Sequence, residues 1–61
     1  MIALAIQKGN DVHVYDENDR PIFYINGELA GFTSSTVSIK RDGCIFVYND
    51  KGQPMFYHNL P

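Results

Sequence analysis

Residues 4 to 28 and 37 to 61 align without a gap at an offset of 33, and 7 of the 25 aligned positions are identical. The identities are Ile6/Ile39, Val14/Val47, Tyr15/Tyr48, Pro21/Pro54, Phe23/Phe56, Tyr24/Tyr57 and Asn26/Asn59. Seven further pairs are close in chemistry: Leu4/Val37, Ala5/Ser38, Lys8/Arg41, Val12/Ile45, Asp16/Asn49, Glu17/Asp50 and Ile22/Met55. Unrelated segments of this composition would share about one or two identities, so the chain reads as two tandem copies within a single domain spanning 1–61. Repetition constrains the fold because each unit has to bury its apolar face against its neighbour or against another chain.

The local punctuation is that of hairpins. Gly9-Asn10, Asn26-Gly27 and Asp42-Gly43 each suit a tight turn with positive φ at its centre. Asn49-Asp50-Lys51-Gly52 fits a type I turn followed by a left-handed bulge residue, and Asp16-Glu17-Asn18-Asp19 offers Asp where that turn has Gly. No ten-residue stretch carries a helical period. The reading is seven short strands, at about 2 to 8, 11 to 16, 20 to 26, 28 to 33, 36 to 41, 44 to 49 and 53 to 58. They form an all-β antiparallel meander, barrel-like or a sandwich.

Those turns set a register, and alternation along each strand then sorts the side chains onto two faces. The expected core face carries Leu4, Ile6, His13, Tyr15, Pro21 and Phe23, with Val37, Ile39, Phe46, Tyr48, Pro54 and Phe56 from the second copy. Tyr15 faces Pro21 and Tyr48 faces Pro54. The opposite face carries Val12, Val14, Ile22 and Tyr24, with Ile45, Val47, Met55 and Tyr57. A solvated sheet face is normally polar, so this second apolar face calls for a partner. The competing reading is a strongly curled barrel in which bulges turn these residues inward.

Size argues in the same direction. A 61-residue chain buries only about 60% of the surface its unfolded form exposes. The lone Cys44 offers no intrachain disulfide, and it points to a reducing, cytoplasmic setting. The segment Glu28 to Thr36 has no full counterpart after the second copy, so one sheet edge lacks a neighbour. Either the chain's own first strand closes it into a barrel, or a second chain completes it as a homodimer.

Chemistry-bearing motifs are scarce. Cys44 and His58 are expected to be cross-strand neighbours, but with His13 the chain has three Cys and His residues in all, too few for a four-ligand zinc site. No metal, cofactor or catalytic residue is assigned, and no enzyme is expected. The acidic run from Asp16 to Asp19 continues with Arg20 and Pro21, where a calcium loop needs a ligand and Gly, so it reads as a turn. Gly31 to Thr36 lacks the Gly-Lys-Ser/Thr ending of a phosphate loop. The formal net charge of -2, with signs interspersed, argues against duplex binding. The start of the chain is polar from Gln7 onward, without the pattern of a signal peptide or membrane anchor.

The stretches Val14-Tyr15-Asp16-Glu17-Asn18-Asp19-Arg20 and Val47-Tyr48-Asn49-Asp50-Lys51-Gly52-Gln53, with Gly31 to Ile39, resemble small uncharacterised bacterial proteins built from a Tyr-Asp-x-x-Gly-Arg hairpin repeat. Asp19 stands where that pattern has Gly, and Gln53 where it has Arg. The resemblance implies a repeat fold and carries no activity. The function expected from the sequence is a non-catalytic module that self-associates and binds a protein partner through Val14, Ile22, Tyr24, Val47, Met55 and Tyr57. The alternative is a single-stranded nucleic-acid-binding small β-barrel using Lys40, Arg41, Phe46 and Tyr48.

Overall fold

The computed structural model describes residues 1–60; Pro61, the expected limit of the second copy, lies outside the described residues. Seven antiparallel strands follow one another: β1 Leu4–Lys8, β2 Asp11–Tyr15, β3 Pro21–Asn26, β4 Glu28–Phe32, β5 Thr36–Arg41, β6 Cys44–Asn49 and β7 Pro54–Asn59. They divide into two sheets, one of order β1-β2-β3 and one of order β4-β5-β6-β7.

Two of the three expected tight turns form as the sequence dictates. Gly9, at φ 61°, lets Lys8 pair with Asp11 across a two-residue turn, and Asp42 and Gly43 both take positive φ between the paired Arg41 and Cys44. The longer turns at residues 16–20 and 49–53 share the same backbone and Oδ1 bonds, and the second adds one from Asn49 Nδ2 to Gln53 Oε1 at 3.0 Å. Asp19 N donates to Asp16 O at 3.1 Å and Gly52 N to Asn49 O at 3.1 Å, with Asp19 at φ 63° and Gly52 at φ 80°. Asp16 Oδ1 accepts from Asn18 N and Arg20 N at 2.9 Å each; Asn49 Oδ1 accepts from Lys51 N and Gln53 N at the same distance. Short polar side chains that can bond their own backbone two residues on are what such a turn requires.

The bond from Arg20 N holds the Asp16 carboxyl below its usual range; desolvation opposes it, and the bond from Asn18 N and the Arg20 charge add to it. A depressed folded-state pKa contributes stability that is complete above the unfolded value and is lost as pH falls through the folded one. Acidification below about pH 4 therefore weakens the first turn. Asp16→Asn, which copies Asn49, keeps both acceptor bonds and flattens part of that acid slope. Melting temperatures of the two proteins at pH 7 and pH 3 check this, the variant showing the smaller drop.

The third expected hairpin does not form. Asn26-Gly27 joins β3 to β4, but these strands belong to different sheets, and Gly27 sits at φ 143°, outside a primed turn. Gly27 N donates to Asn10 O at 2.8 Å, Asn26 Nδ2 to Asn10 O at 3.1 Å, and Arg41 Nη1 to Asn26 O at 3.2 Å. These bonds turn the dipeptide into a corner at which the chain leaves one sheet for the other. β1 lies alongside β4, joined by the Gln7 side chain, and the residues flanking the two strands are joined by Ile2 N to Ser34 O at 2.7 Å. Gln7 Nε2 donates to Gly27 O at 2.9 Å and its Oε1 accepts from Leu29 N at 2.7 Å. Gln7 thus satisfies backbone groups where the two sheets meet without a ladder.

The expected register is displaced at two places. Tyr15 pairs with Pro21 and Tyr48 with Pro54, as expected, but Val14 then pairs with Phe23 and Val47 with Phe56, so Ile22 and Met55 are extra residues in β-bulges. Beyond each bulge the side chains exchange faces. Phe23 thereby joins Val12 and Val14 on one side, and Tyr24 joins His13 on the other.

The core is accordingly different from the expected one. Ile2, Ala5, Val12, Val14, Val37, Ile39 and Tyr48 are buried in one cluster, with Ile22, Phe23, Ile25, Leu29 and Phe46 packed against it. Val12 and Val14, expected on the outer face, are fully buried, whereas Leu4 is 42% and Phe56 52% exposed. Ile6, His13 and Tyr15 are partly exposed, and Pro21 and Pro54 exposed. The expectation holds for Val37, Ile39, Phe46 and Tyr48 and fails for most of the first segment. Nor does β1 close the barrel: β7 is an edge strand, and all six of its residues are exposed. The Cα envelope, 37 × 23 × 15 Å, is long and thin, because β7 extends the second sheet beyond the cover of the first.

Candidate functional site

With register and bulges in place, each sheet has two faces that can be compared position by position at the offset of 33. The valine face carries Ala5, Gln7, Val12, Val14, Phe23 and Ile25 in the first sheet, and Ser38, Lys40, Ile45, Val47, Phe56 and His58 in the second. The tyrosine face carries Leu4, Ile6, His13, Tyr15 and Tyr24 in the first, and Val37, Ile39, Phe46, Tyr48 and Tyr57 in the second. The buried cluster combines the valine face of the first sheet with the tyrosine face of the second. The two segments therefore pack through opposite faces.

Side-chain chemistry explains which face turns inward. On the valine face, Ala5 and Ile25 of the first sheet correspond to Ser38 and His58 of the second. On the tyrosine face, Phe46 of the second sheet corresponds to His13 of the first. The more apolar member of each pair is the one removed from water, which is the direction the hydrophobic effect selects. The corner at Gly27 and a bulge between Leu29 and Gly31 make the inversion sterically available.

The outward tyrosine face of the first sheet keeps the form of its counterpart on the second. On the tyrosine face of the second sheet, Phe46 stacks on Tyr57 with ring centroids 5.7 Å apart; on that of the first, His13 stacks on Tyr24 at 5.6 Å. The Arg41 guanidinium lies 4.8 Å from the Phe46 centroid and reaches Tyr48 Oη at 3.5 Å. In the first sheet Lys8 Nζ donates to Tyr15 Oη at 3.2 Å and lies 5.9 Å from the ring centroid. Such cation–π contacts at accessible sites contribute roughly 0.5–1 kcal/mol. A similar aromatic and cationic arrangement is thus present on the tyrosine face of each sheet.

The six residues expected at an interface do not share one surface. Val14 is core, Ile22 is a partly buried bulge residue, and Val47 lies on the outward valine face. Tyr24, at 70% exposure, lies on the outward tyrosine face; Met55 and Tyr57 are exposed on β7. Leu4, Ile6 and Phe56, which also belong to the two outward faces, were expected in the core, whereas Ile45 was expected on the face that calls for a partner. Comparing the polarity of the aligned faces, as above, is the signal that finds them.

Of the four residues of the nucleic-acid alternative, Arg41, Phe46 and Tyr48 lie together, the Arg41 guanidinium touching both rings, and Lys40 stands apart from them. Lys40 and Arg41 are neighbours in β5 and point to opposite faces. Tyr48 is buried, and Phe46 is partly buried between Arg41 and Tyr57. Cys44 pairs with Asn59, not His58, because the Met55 bulge shifts the register by one; its Sγ lies 3.1 Å from Asn59 Oδ1. Cys44 and His58 therefore lie on opposite faces of the sheet. Among the described residues no group of three or more His, Cys, Asp or Glu side chains could hold a metal ion. A shallow polar depression at the corner is lined by Gln7, Gly9, Asn10, Asn26, Gly27 and Glu28, where the Gln7 amide is already bonded to backbone. Among the described residues no helix is long and apolar enough to cross a membrane.

No family model matches the chain, and no curated protein or solved structure matches it either.

Proposed function

We propose that this chain is a non-catalytic tandem-repeat β module that self-associates and binds protein through its outward apolar faces. The observation that carries the reading is the amount of large apolar surface left open on so small a chain. Leu4, Tyr24, Met55, Phe56 and Tyr57 are between 42% and 70% exposed, and they cluster on the outward tyrosine face and on β7. Single apolar side chains on a surface need no explanation, but this many large ones open on so short a chain, on the outward tyrosine face and on both sides of β7, favour a surface that another protein covers. The unpaired edge of β7 adds free backbone donors and acceptors, which soluble proteins normally shield.

Sedimentation equilibrium over a concentration series, from micromolar to millimolar, tests the reading. The expected result is a weight-average mass rising with concentration and changing little as salt is raised, since burial of apolar surface is not screened. A mass fixed at the 6.9 kDa of one chain throughout contradicts it. The same series with a mixed oligonucleotide pool tests the alternative: a complex that forms and dissociates steeply with salt would favour nucleic-acid binding instead.

A further inference from the structure

We infer that copies of this chain associate head to tail, the valine face of the second sheet of one copy covering the tyrosine face of the first sheet of the next. This rests on the self-association proposed above and specifies which surfaces meet. The argument is the interface the chain already makes within itself. There the valine face of one sheet, through Val12, Val14 and Phe23, covers the tyrosine face of the other, through Val37, Ile39 and Tyr48. What remains outside is one face of each kind. Ile45, Val47 and Phe56 stand on the outward valine face at the positions equivalent to Val12, Val14 and Phe23. Leu4, Ile6 and Tyr15 stand on the outward tyrosine face at the positions equivalent to Val37, Ile39 and Tyr48. The two faces that are complementary inside one molecule are thus both presented on its outside, on different sheets.

A surface pair of this kind cannot be satisfied by a two-fold axis that brings like faces together. Like-on-like contact would set tyrosine face against tyrosine face, or valine face against valine face, neither of which the chain uses in its own core. Pairing unlike faces between copies repeats the internal contact and leaves one free face of each kind at the ends of the assembly. Such heterologous contacts grow into a ring where the rotation closes and into an open chain where it does not. The association is weaker than the internal packing, because Ser38 and His58 replace Ala5 and Ile25 on one side, and His13 replaces Phe46 on the other. The predicted occupant of each outward face is therefore a second copy of this chain.

Complementation between two singly blocked variants tests this. Leu4→Glu spoils the outward tyrosine face and leaves the outward valine face intact; Phe56→Glu does the reverse. Both side chains are about half exposed, and far-UV circular dichroism establishes that each variant is folded. Should either fail to fold, Tyr24→Glu and Val47→Glu take their places on the same faces. At a concentration where the unmodified chain is associated, each variant alone sediments as a monomer. An equimolar mixture gives a 1:1 dimer and nothing larger, since only one unlike pair of faces survives. If the unmodified chain associates but either variant alone still dimerises, or the mixture stays monomeric, the contact joins like faces or β7 edges and head-to-tail pairing is overturned. If the unmodified chain is monomeric at 1 mM, self-association itself fails, and the faces await a different protein.

Discussion

Val14→Lys abolishes folding, whereas Val47→Lys, the same change 33 residues later, leaves a folded protein. The two valines are identical, lie in strands of the same register, and each pairs with a phenylalanine, Phe23 or Phe56. They differ in what covers them. Val14 is fully buried in the cluster between the sheets, and Val47 is partly exposed on the outward valine face. A lysine at Val14 loses about 2 kcal/mol of apolar burial and places an ammonium group among apolar residues, at a cost of several kcal/mol even when it sheds its proton. A chain of this length has a total stability of roughly 3–9 kcal/mol, so that single change consumes it. A lysine at Val47 keeps its charge in water and costs about 1 kcal/mol, the span of strand propensities at an accessible site. Urea titrations followed by circular dichroism read the difference directly: no native baseline for Val14→Lys, and a midpoint shifted modestly for Val47→Lys.

Gly27→Ala destabilises by about 3 kcal/mol, the sum of a disfavoured backbone conformation and overpacking. At φ 143° the backbone lies where side chains are rarely accommodated, and a Cβ added there would collide with Ile39 Cγ2 and lie 3.3 Å from the Lys40 carbonyl oxygen. Ile39 is fully buried, and Lys40 belongs to β5, so neither neighbour moves cheaply. Gly31→Ala is the control. Nothing lies within 4 Å of a Cβ at Gly31, and the urea midpoint of that variant stays close to that of the unmodified chain. Equal midpoints for Gly27→Ala and Gly31→Ala would mean that the corner does not require the close approach described here.

The strands were legible in the sequence because their limits are set locally. Gly9-Asn10 and Asp42-Gly43 adopt the turns their composition demands, and β5 and β6 run over the residues expected of them. Asn26-Gly27 has the same composition and a different fate, since turn chemistry specifies only that glycine can take unusual φ. What the chain does with that freedom is settled by distant partners: Asn10 O, the Gln7 amide and Arg41. The faces were misassigned for a related reason. Ile22 and Met55 look like ordinary strand residues, but the five-residue turns before them carry a left-handed residue at their fourth position, Asp19 or Gly52, and the ladder absorbs one extra residue just beyond. A single such residue transfers Phe23, Tyr24, Phe56 and Tyr57 to the opposite side of their sheets. The reading of Cys44 beside His58 failed through the same shift.

The two candidate interaction surfaces were partly legible. Tyr24, Met55 and Tyr57 are exposed. Val14 is not, because the sequence treated the two segments as using the same face. That assumption is natural for a repeat, and it fails here because three substitutions, Ala5/Ser38, Ile25/His58 and His13/Phe46, give the two segments opposite preferences. Differences between aligned segments carry the tertiary information in this chain, whereas their identities carry the local geometry.

Packing of the two segments through opposite faces is most directly tested by methyl–methyl nuclear Overhauser effects, recorded on the Phe56→Glu variant in dilute solution. Cross-peaks connecting Val12 and Val14 with Val37 and Ile39 are predicted, with none from Ile45 or Val47 to methyls of the first sheet. Cross-peaks from Leu4 and Ile6 to Val37 and Ile39, the pattern of two segments sharing one face, would contradict it.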